Sequence, residues 1–203
     1  MYVKLIVPHN AGTRKETAAR TRATLIDTGV ELFTRDGYAA VSTVQICECV
    51  GVTRGAFYHH FANKTELMEA CFERIDHQLV ERLSAHTVTE PRDRIRATCR
   101  EFVNELADPR VRQILFVEAP AALGWARWRE LDGGRSLALV RGQLAAAADS
   151  GHLGGHDPRV LAHLLLGALN ELGMLVAASA SPERAMARVR RELDAVLDDL
   201  LTR

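Results

Sequence analysis

The chain has 203 residues, 47% hydrophobic and 26% charged, which is enough apolar material for a sizeable core and excludes a disordered chain. Its 26 Lys/Arg balance 26 Asp/Glu, yet unevenly: residues 1–64 carry eight basic against five acidic side chains and residues 65–203 carry eighteen against twenty-one, the pattern of a basic head on an acidic body. No apolar run reaches the ~20 residues a membrane helix needs, and MYVKLIVP is too short and wrongly flanked for a secretory signal, so a cytoplasmic protein without a membrane partner is expected.

In chain order, MYVKLIVP reads as an extended segment ending at Pro8 and running into a linker, HNAGTRKE; residues 1–13 are set aside as a flexible extension. Leu25, Ile26, Gly29, Leu32 and Phe33 recur at helical spacing and form one face of a first helix ending near Asp36-Gly37. Ser42 with Gln45 is a capping box, opening a short second helix that turns Ile46, Cys47 and Val50 inward. Gly51 supplies a turn, and Thr53 caps a third short helix reaching Phe61. Asn63 with Glu66 opens a long fourth helix along Leu67, Met68, Cys71, Phe72, Ile75 and Leu79. Asp108-Pro109, Asp157-Pro158 and Ser181-Pro182 each place a capping oxygen before a proline at the first helical position. The helices expected there span roughly 91–107, 109–117, 121–149, 158–179 and 182–201, with Gly133-Gly134 as a break or kink in the third. Nothing alternates at period two beyond residue 10. The fold class is all-α: a three-helix N-terminal helix-turn-helix head, residues 14–62, joined to a larger helical domain, residues 63–203.

The four cysteines, Cys47, Cys49, Cys71 and Cys99, lack zinc-finger spacing and mostly fall in apolar helical patterns, so buried reduced thiols are expected and no metal site. Cys47 and Cys49, two apart on a helix, point in different directions. The pair His59-His60 is open to the same objection, since adjacent helical residues diverge; no nucleophile–base pair, phosphate loop or metal spacing supports catalysis, and no cofactor is expected.

Two short helices joined at a glycine and packed on a longer one are the arrangement that presents its second short helix to the DNA major groove. Arg54 stands at that helix's start, where its fork can reach a guanine, and Gly55 allows close backbone approach. Tyr58, His59 and His60 offer hydrogen bonds to phosphates or bases, while Ser42 and Thr43 can donate to phosphate. Lys64, at the next helix N-terminus, adds charge beside free backbone amides. Phe57 and Phe61 recur at helical spacing and read as core.

The motifs ELFTRDGY, the Ile46-to-Gly51 spacing, GVTRGAFYHHF and NKTEL together resemble the DNA-binding head of the TetR family of bacterial transcriptional regulators, over residues 18–72. The resemblance implies DNA contacts at Ser42, Thr43, Thr53, Arg54, Gly55, Tyr58, His59, His60 and Lys64. Cys47 stands where the family usually has alanine and Val44 where a polar residue is common; Val44 is left outside the expected contacts. The resemblance also implies that the remaining helices bind a small effector and form a homodimer through the last two long helices. The sequence is compatible with both. The stripe Met186, Val189, Leu193, Val196, Leu197, Leu200 suits helix packing, with Arg190, Arg191, Asp194, Asp198 and Asp199 opposite. The helix over 158–179 is apolar on almost every side, with Gly167, Ala168, Gly173 and Ala177 permitting close approach.

Candidate effector contacts are the aromatic or polar residues of these apolar helices: Phe102, Phe116, Trp125, Trp128, His163, Asn170 and Met174. His163, Gly167, Asn170 and Met174 share one face, which either lines a cavity or pairs across a dimer. Few of the candidates are charged, so a mostly apolar or aromatic effector is expected, with Glu118 nearby as a contact for a cationic feature. The expected function is a ligand-responsive regulator, a homodimeric repressor released by its effector from palindromic double-stranded operator DNA. Two rival readings stand beside it: a helical enzyme or small-molecule carrier that retains the head, and a redox sensor acting through Cys47 or Cys49.

Overall fold

The structure, a computed structural model, describes residues 14–85 and 87–201. The extended segment and extension expected over residues 1–13 lie outside the described residues, and the end of the expected linker is already helical from Arg14. The regular elements are α1 (Arg14–Asp36), α2 (Thr43–Val50), α3 (Arg54–His60), α4 (Lys64–Ser84), α5 (Pro91–Glu105), a π-helical segment (Val111–Glu118), α6 (Ala119–Leu123), α7 (Trp125–Asp132), α8 (Arg135–Asp149), α9 (Pro158–Ala177) and α10 (Pro182–Leu200). There is no strand among the described residues.

The head is held by apolar burial under short, well-capped helices. Phe33, Ile46, Phe57, Phe61 and Leu67 are buried between α1, α2, α3 and the start of α4. Gly29 lets α4 approach α1 closely: a Cβ there would meet Cys71 Sγ at 3.0 Å and Leu67 Cδ2 at 3.3 Å. Ser42, Thr53 and Asn63 cap their helices, accepting from the amides of Gln45, Ala56 and Glu66. Glu66 reaches back to the amide of Ala62, 2.5 Å away, closing the reciprocal half of the box one residue before the cap. Gly51, at φ 75°, ends α2 with its amide on the carbonyls of Cys47 and Glu48, and Val52 follows onto Cys47; only glycine takes that left-handed conformation without strain.

In the larger domain, α4 packs on α5, α6, α8 and the π-helical segment, α8 packs along α9, and α10 packs on α5 and α9. Asp157 caps α9 through the amide of Arg159, and Asp108 accepts from the amide of Arg110. Ser181 does not cap α10; its own amide instead donates to the hydroxyl of Ser179. Between α10 and α5, Asp194 pairs with Arg100 at 2.7 Å and Asp198 with Arg96 at 2.6 Å, so the charged side of α10 is partly an interhelical seam. Such partly exposed pairs align helices more than they stabilise them.

Three expectations about these helices are corrected. The helix expected over 121–149 is three: the break at Gly133-Gly134 is the one its glycines indicated, while the break at Gly124 (φ 77°) is not among those expected. The helix expected to stop at 117 runs on through a π-helical register into α6. Pro120 accounts for this: in an α-register its ring would collide with the carbonyl of Phe116, and it has no amide hydrogen to donate there. The chain widens by one residue instead, and the amide of Ala119 donates to Ile114. That leaves the carbonyl of Leu115 without a helical donor, since Pro120 is the residue that would supply it; the indole of Trp128 donates to it at 2.8 Å. Finally, α9 is long and apolar enough to cross a membrane by length and composition, against the expectation that no run would be. Its apolar residues serve two sides: one packs on α8 and the π-helical segment, while Val160, Leu164 and Leu175 remain exposed.

Replacing Trp128 with Phe keeps an aromatic ring but leaves the buried Leu115 carbonyl unpartnered. Trp128→Phe is expected to lower unfolding free energy by about 1–3 kcal/mol in urea titration; an unchanged midpoint would show that the indole hydrogen bond is dispensable.

Candidate functional site

Two regions carry chemistry: the outer surface of α2 and α3, and a cavity inside the larger domain. On the first, Ser42, Thr53, Arg54, Gly55, Tyr58 and His59 are exposed, and Thr43, His60 and Lys64 are half-buried. Phe57, fully buried, fixes the roll of α3, and Tyr58 stacks edge-on against it, ring centroids 5.3 Å apart. The Arg54 guanidinium, and after it Thr43, draw the Tyr58 hydroxyl below its ordinary pKa, so these three side chains form one cluster across the two helices. His59 and His60 lie ring to ring at 5.3 Å. Burial, followed by the neighbouring His59 and Arg22, lowers the pKa of His60, and Arg22 itself sits over the Phe61 ring at 5.0 Å. The cap hydroxyls of Ser42 and Thr53 accept backbone amides and keep their own protons to donate.

Lys64 is placed differently from the rest. Its ammonium donates to the carbonyls of Tyr38 at 2.7 Å and Val41 at 2.8 Å, and lies over the Tyr38 ring at 4.1 Å. Burial lowers its pKa. Two of its three donors thus hold the α1–α2 connection. Tyr38 is tied on other sides as well: its hydroxyl pairs with Thr65 at 3.1 Å, and its amide donates to Glu118 at 2.7 Å. Glu118, expected beside the effector, faces this head loop instead.

The cavity, with about 30 Å³ of free space, lies between α4, α5, the π-helical segment, α7, α8 and α9. Four of the seven expected effector residues line it: Phe102, Phe116, Trp128 and Asn170. Phe102 and Phe116 meet edge to face, centroids 6.1 Å apart. Gly173 makes room for Phe116, since a Cβ there would stand 2.8 Å from the ring; the close approach it permits is to its own chain. Trp125 is outside, 64% exposed and tilted against Trp128. His163 points outward and Met174 is half-buried against the core; neither lines the cavity. The shared face of His163, Gly167, Asn170 and Met174 runs along the border of the buried side of α9, whose centre is Leu166, Leu169 and Gly173, so only Asn170 turns in.

Sequence reasoning missed the polar half of this wall. Asp132, beside the Gly133-Gly134 break, accepts on Oδ2 from Asn170 at 2.7 Å and Arg129 at 2.8 Å. Burial raises its pKa to about 6, against the opposing pull of Asn170 and Arg129 and with help from the negative charge of Asp76. Asp76 accepts from Ser136 at 2.9 Å and is likewise raised by burial. Thr98 accepts from Gln143 at 2.9 Å. One signal was available: Asp76 falls inside the apolar stripe of α4, between Ile75 and Leu79.

Among the cysteines, Cys47, Cys71 and Cys99 are buried, and Cys49 is exposed, contrary to expectation. Burial raises the thiol pKa of Cys47, of Cys71 and of Cys99, the last to about 12, so these three are poor thiolates.

Comparison with known proteins agrees with this geometry. A family model described as bacterial regulatory proteins, tetR family, matches residues 25–71, and another described as the tetracyclin repressor-like C-terminal domain matches residues 92–200. The crystal structure of a TetR-family transcriptional regulator from Pectobacterium atrosepticum superposes with a TM-score of 0.83 at 30% identity, over 95% of this chain and 99% of that one. The transposon Tn10 TetC protein of Escherichia coli is 27% identical over 78% of this chain and 81% of its own length. The HTH-type transcriptional regulator TtgR of Pseudomonas putida is 36% identical over 49% of this chain, which spans only 50% of that relative.

Because the folded state holds the Asp132 proton more tightly than the unfolded chain, ionisation of Asp132 costs stability above about pH 6, on the order of 3 kcal/mol, and the cost is relieved as pH falls from there towards 4. The melting temperature of the native protein relative to Asp132→Asn is therefore expected to rise as pH is lowered from 7.5 to 5. A difference independent of pH would mean that the carboxyl is already neutral or freely solvated.

Proposed function

The chain belongs to the TetR family of bacterial transcriptional regulators, which bind operator DNA and small-molecule effectors and are not enzymes, and we propose that it acts as a homodimeric repressor released from a palindromic operator by an effector in the α4–α9 cavity. The observation that carries this reading is the surface of α2 and α3. Arg54, Gly55, Tyr58 and His59 project from a short helix whose roll and start are fixed by Phe57 and Thr53, with Ser42 and Thr43 beside them. In the bound state Arg54 reads a base, Thr43, Tyr58, His59 and His60 contact phosphates or base edges, and Ser42 and Thr53 donate to phosphate. Lys64 contributes its charge and, above all, holds the loop that positions α2.

In this reading residues 14–62 are the DNA-binding head and residues 63–203 the effector and dimer domain. The exposed apolar side chains Val160, Leu164 and Leu175 on α9, with Val196 on α10, are the surface that two copies bury. Two-fold symmetry then sets two α3 helices in successive major grooves, about 34–36 Å apart, and adds two half-site energies. Effector binding parts the cavity walls, and the displacement of Phe116 and α4 passes to the head through Glu118, Tyr38 and Lys64.

Fluorescence anisotropy with DNA from upstream of the coding sequence tests the contacts. Arg54→Ala is expected to cost about 1–3 kcal/mol and relax base choice at one half-site position, and Lys64→Ala to weaken binding across all sequences; unchanged affinity in both overturns the assignment. For the dimer, Leu164→Glu is expected to yield a monomer by light scattering and to lose operator affinity, whereas a dimer of undiminished affinity places the interface elsewhere.

A further inference from the structure

The cavity wall has an unusual polar composition. Asp76 and Asp132 are 4% and 6% exposed, and each has one oxygen without a hydrogen bond among the described residues. The two donors to Asp132, Asn170 and Arg129, both use Oδ2, leaving Oδ1. Asp76 receives one hydroxyl on Oδ1, and its Oδ2 is 3.9 Å from Arg135, beyond hydrogen-bond reach. A carboxylate has about four acceptor positions, so neither is near saturation. The arginines offset this acidity only in part, since their side chains are 34% and 53% exposed and their charge is shared with water. Around the two carboxylates stand the rings of Phe72, Phe102, Phe116 and Trp128.

Asp76 and Phe72 have a second role. Both also line an open groove of about 460 Å³ on the outside of α4, α7 and α8, together with Glu73 and Glu130 and the cations of Arg127 and Arg135. The groove is lined in part by Gly134, at the break between α7 and α8. Asp76 therefore stands where the outer groove and inner cavity meet.

We propose that the effector is an aromatic or otherwise apolar molecule carrying a protonated primary or secondary amine, whose ammonium binds Asp76 and Asp132 while its body lies among the four rings. This rests on the reading of the cavity as the effector site. The chemistry discriminates among charge classes. An anion would meet two buried like charges. A neutral hydroxyl would fill one oxygen yet leave the buried charge uncompensated. An ammonium donates two or three hydrogen bonds, cancels charge where burial makes charge costly, and gains from neighbouring aromatic faces. The free space, about 30 Å³, is room for a water or two, so such a body enters by pushing the walls apart.

The test uses the full chain and sets of three ligands sharing one body: benzyl, naphthylmethyl and octyl groups, each as amine, alcohol and carboxylate. Binding is followed at pH 7.5 by calorimetry and by tryptophan fluorescence. In at least one set the amine is expected to bind about tenfold more tightly than its alcohol, with the carboxylate weakest. Asp76→Asn should reduce the amine's advantage to within about threefold while leaving the alcohol's affinity unchanged, and Asp132→Asn, checked by thermal melt, should act in the same direction. If no amine outbinds its alcohol, or if neither variant alters the ratio, the proposal falls. Release of the protein from upstream DNA separates the two readings. Release by an alcohol or carboxylate alone leaves the cavity as effector site and overturns the amine. Operator binding that no compound in any set disturbs, with no fluorescence change, overturns both.

Discussion

The organisation of the larger domain depends on one missing amide hydrogen. Pro120 cannot donate to the helix that precedes it, and the helix responds by widening into a π-register from Val111 to Glu118. The wider register changes the azimuth of its residues. Leu115 and Phe116 are turned onto the cavity, and Glu118 towards the head, where it accepts from Tyr38. It also strands the Leu115 carbonyl, and the indole that takes it up belongs to Trp128, the largest fully buried side chain. A single backbone irregularity thus places two cavity walls and the contact between domains. In an α-register each would lie on a different azimuth.

The fold was legible in the sequence where local chemistry decides it. Ser42, Thr53, Asn63 and Asp157 cap as their residue types and spacings require, because an N-cap is satisfied by atoms within three residues. Ser181 did not: its hydroxyl takes no amide of α10, and its own amide donates to Ser179. The break at Gly124 and the π-register around Pro120 were illegible for a related reason. Proline states that an α-helix cannot continue unchanged, but whether it stops or widens depends on a donor for Leu115 from thirteen residues away.

The cavity divides along the same line. Phe102, Phe116, Trp128 and Asn170 stand out as large or polar residues in apolar helices, and all four reach the wall. Asp76, Asp132, Ser136 and Thr98 come from four different helices, and in sequence all but Asp76, which interrupts the apolar stripe of α4, look like ordinary solvent-facing residues. Only tertiary packing makes them neighbours, so no single-helix pattern contains them. His163 and Met174 failed for the converse reason: helical spacing gives relative azimuth along α9, while the position of the buried arc is set by α8 and the π-helical segment. The polar residues missed are also those with energetic consequence, since buried carboxylates with raised pKa values cost stability when ionised, a cost that a ligand of complementary charge would offset.

Magnitudes constrain how a ligand in this cavity would reach the head. The Glu118–Tyr38 hydrogen bond is one neutral-donor contact, charge-assisted on one side, worth on the order of 1–3 kcal/mol. Moving a two-state equilibrium from 1:99 to 99:1 takes about 5.5 kcal/mol of differential affinity. That contact alone falls short, even before any compensation by water, and the two hydrogen bonds from Lys64 to the head carbonyls of Tyr38 and Val41 are part of the hold of α4 itself on the head. The remainder must come from α4, which supplies Phe72, Asp76, Leu79 and Leu83 to the cavity and begins at Lys64 against the head. A helix capped at Asn63 and packed on α1 through Gly29 moves as a body, so a displacement at Asp76 is carried to its first turn over three helical repeats. In the proposed mechanism Glu118 and Tyr38 would set the direction of the head's response, and α4 would carry the differential binding energy of the ligand to it.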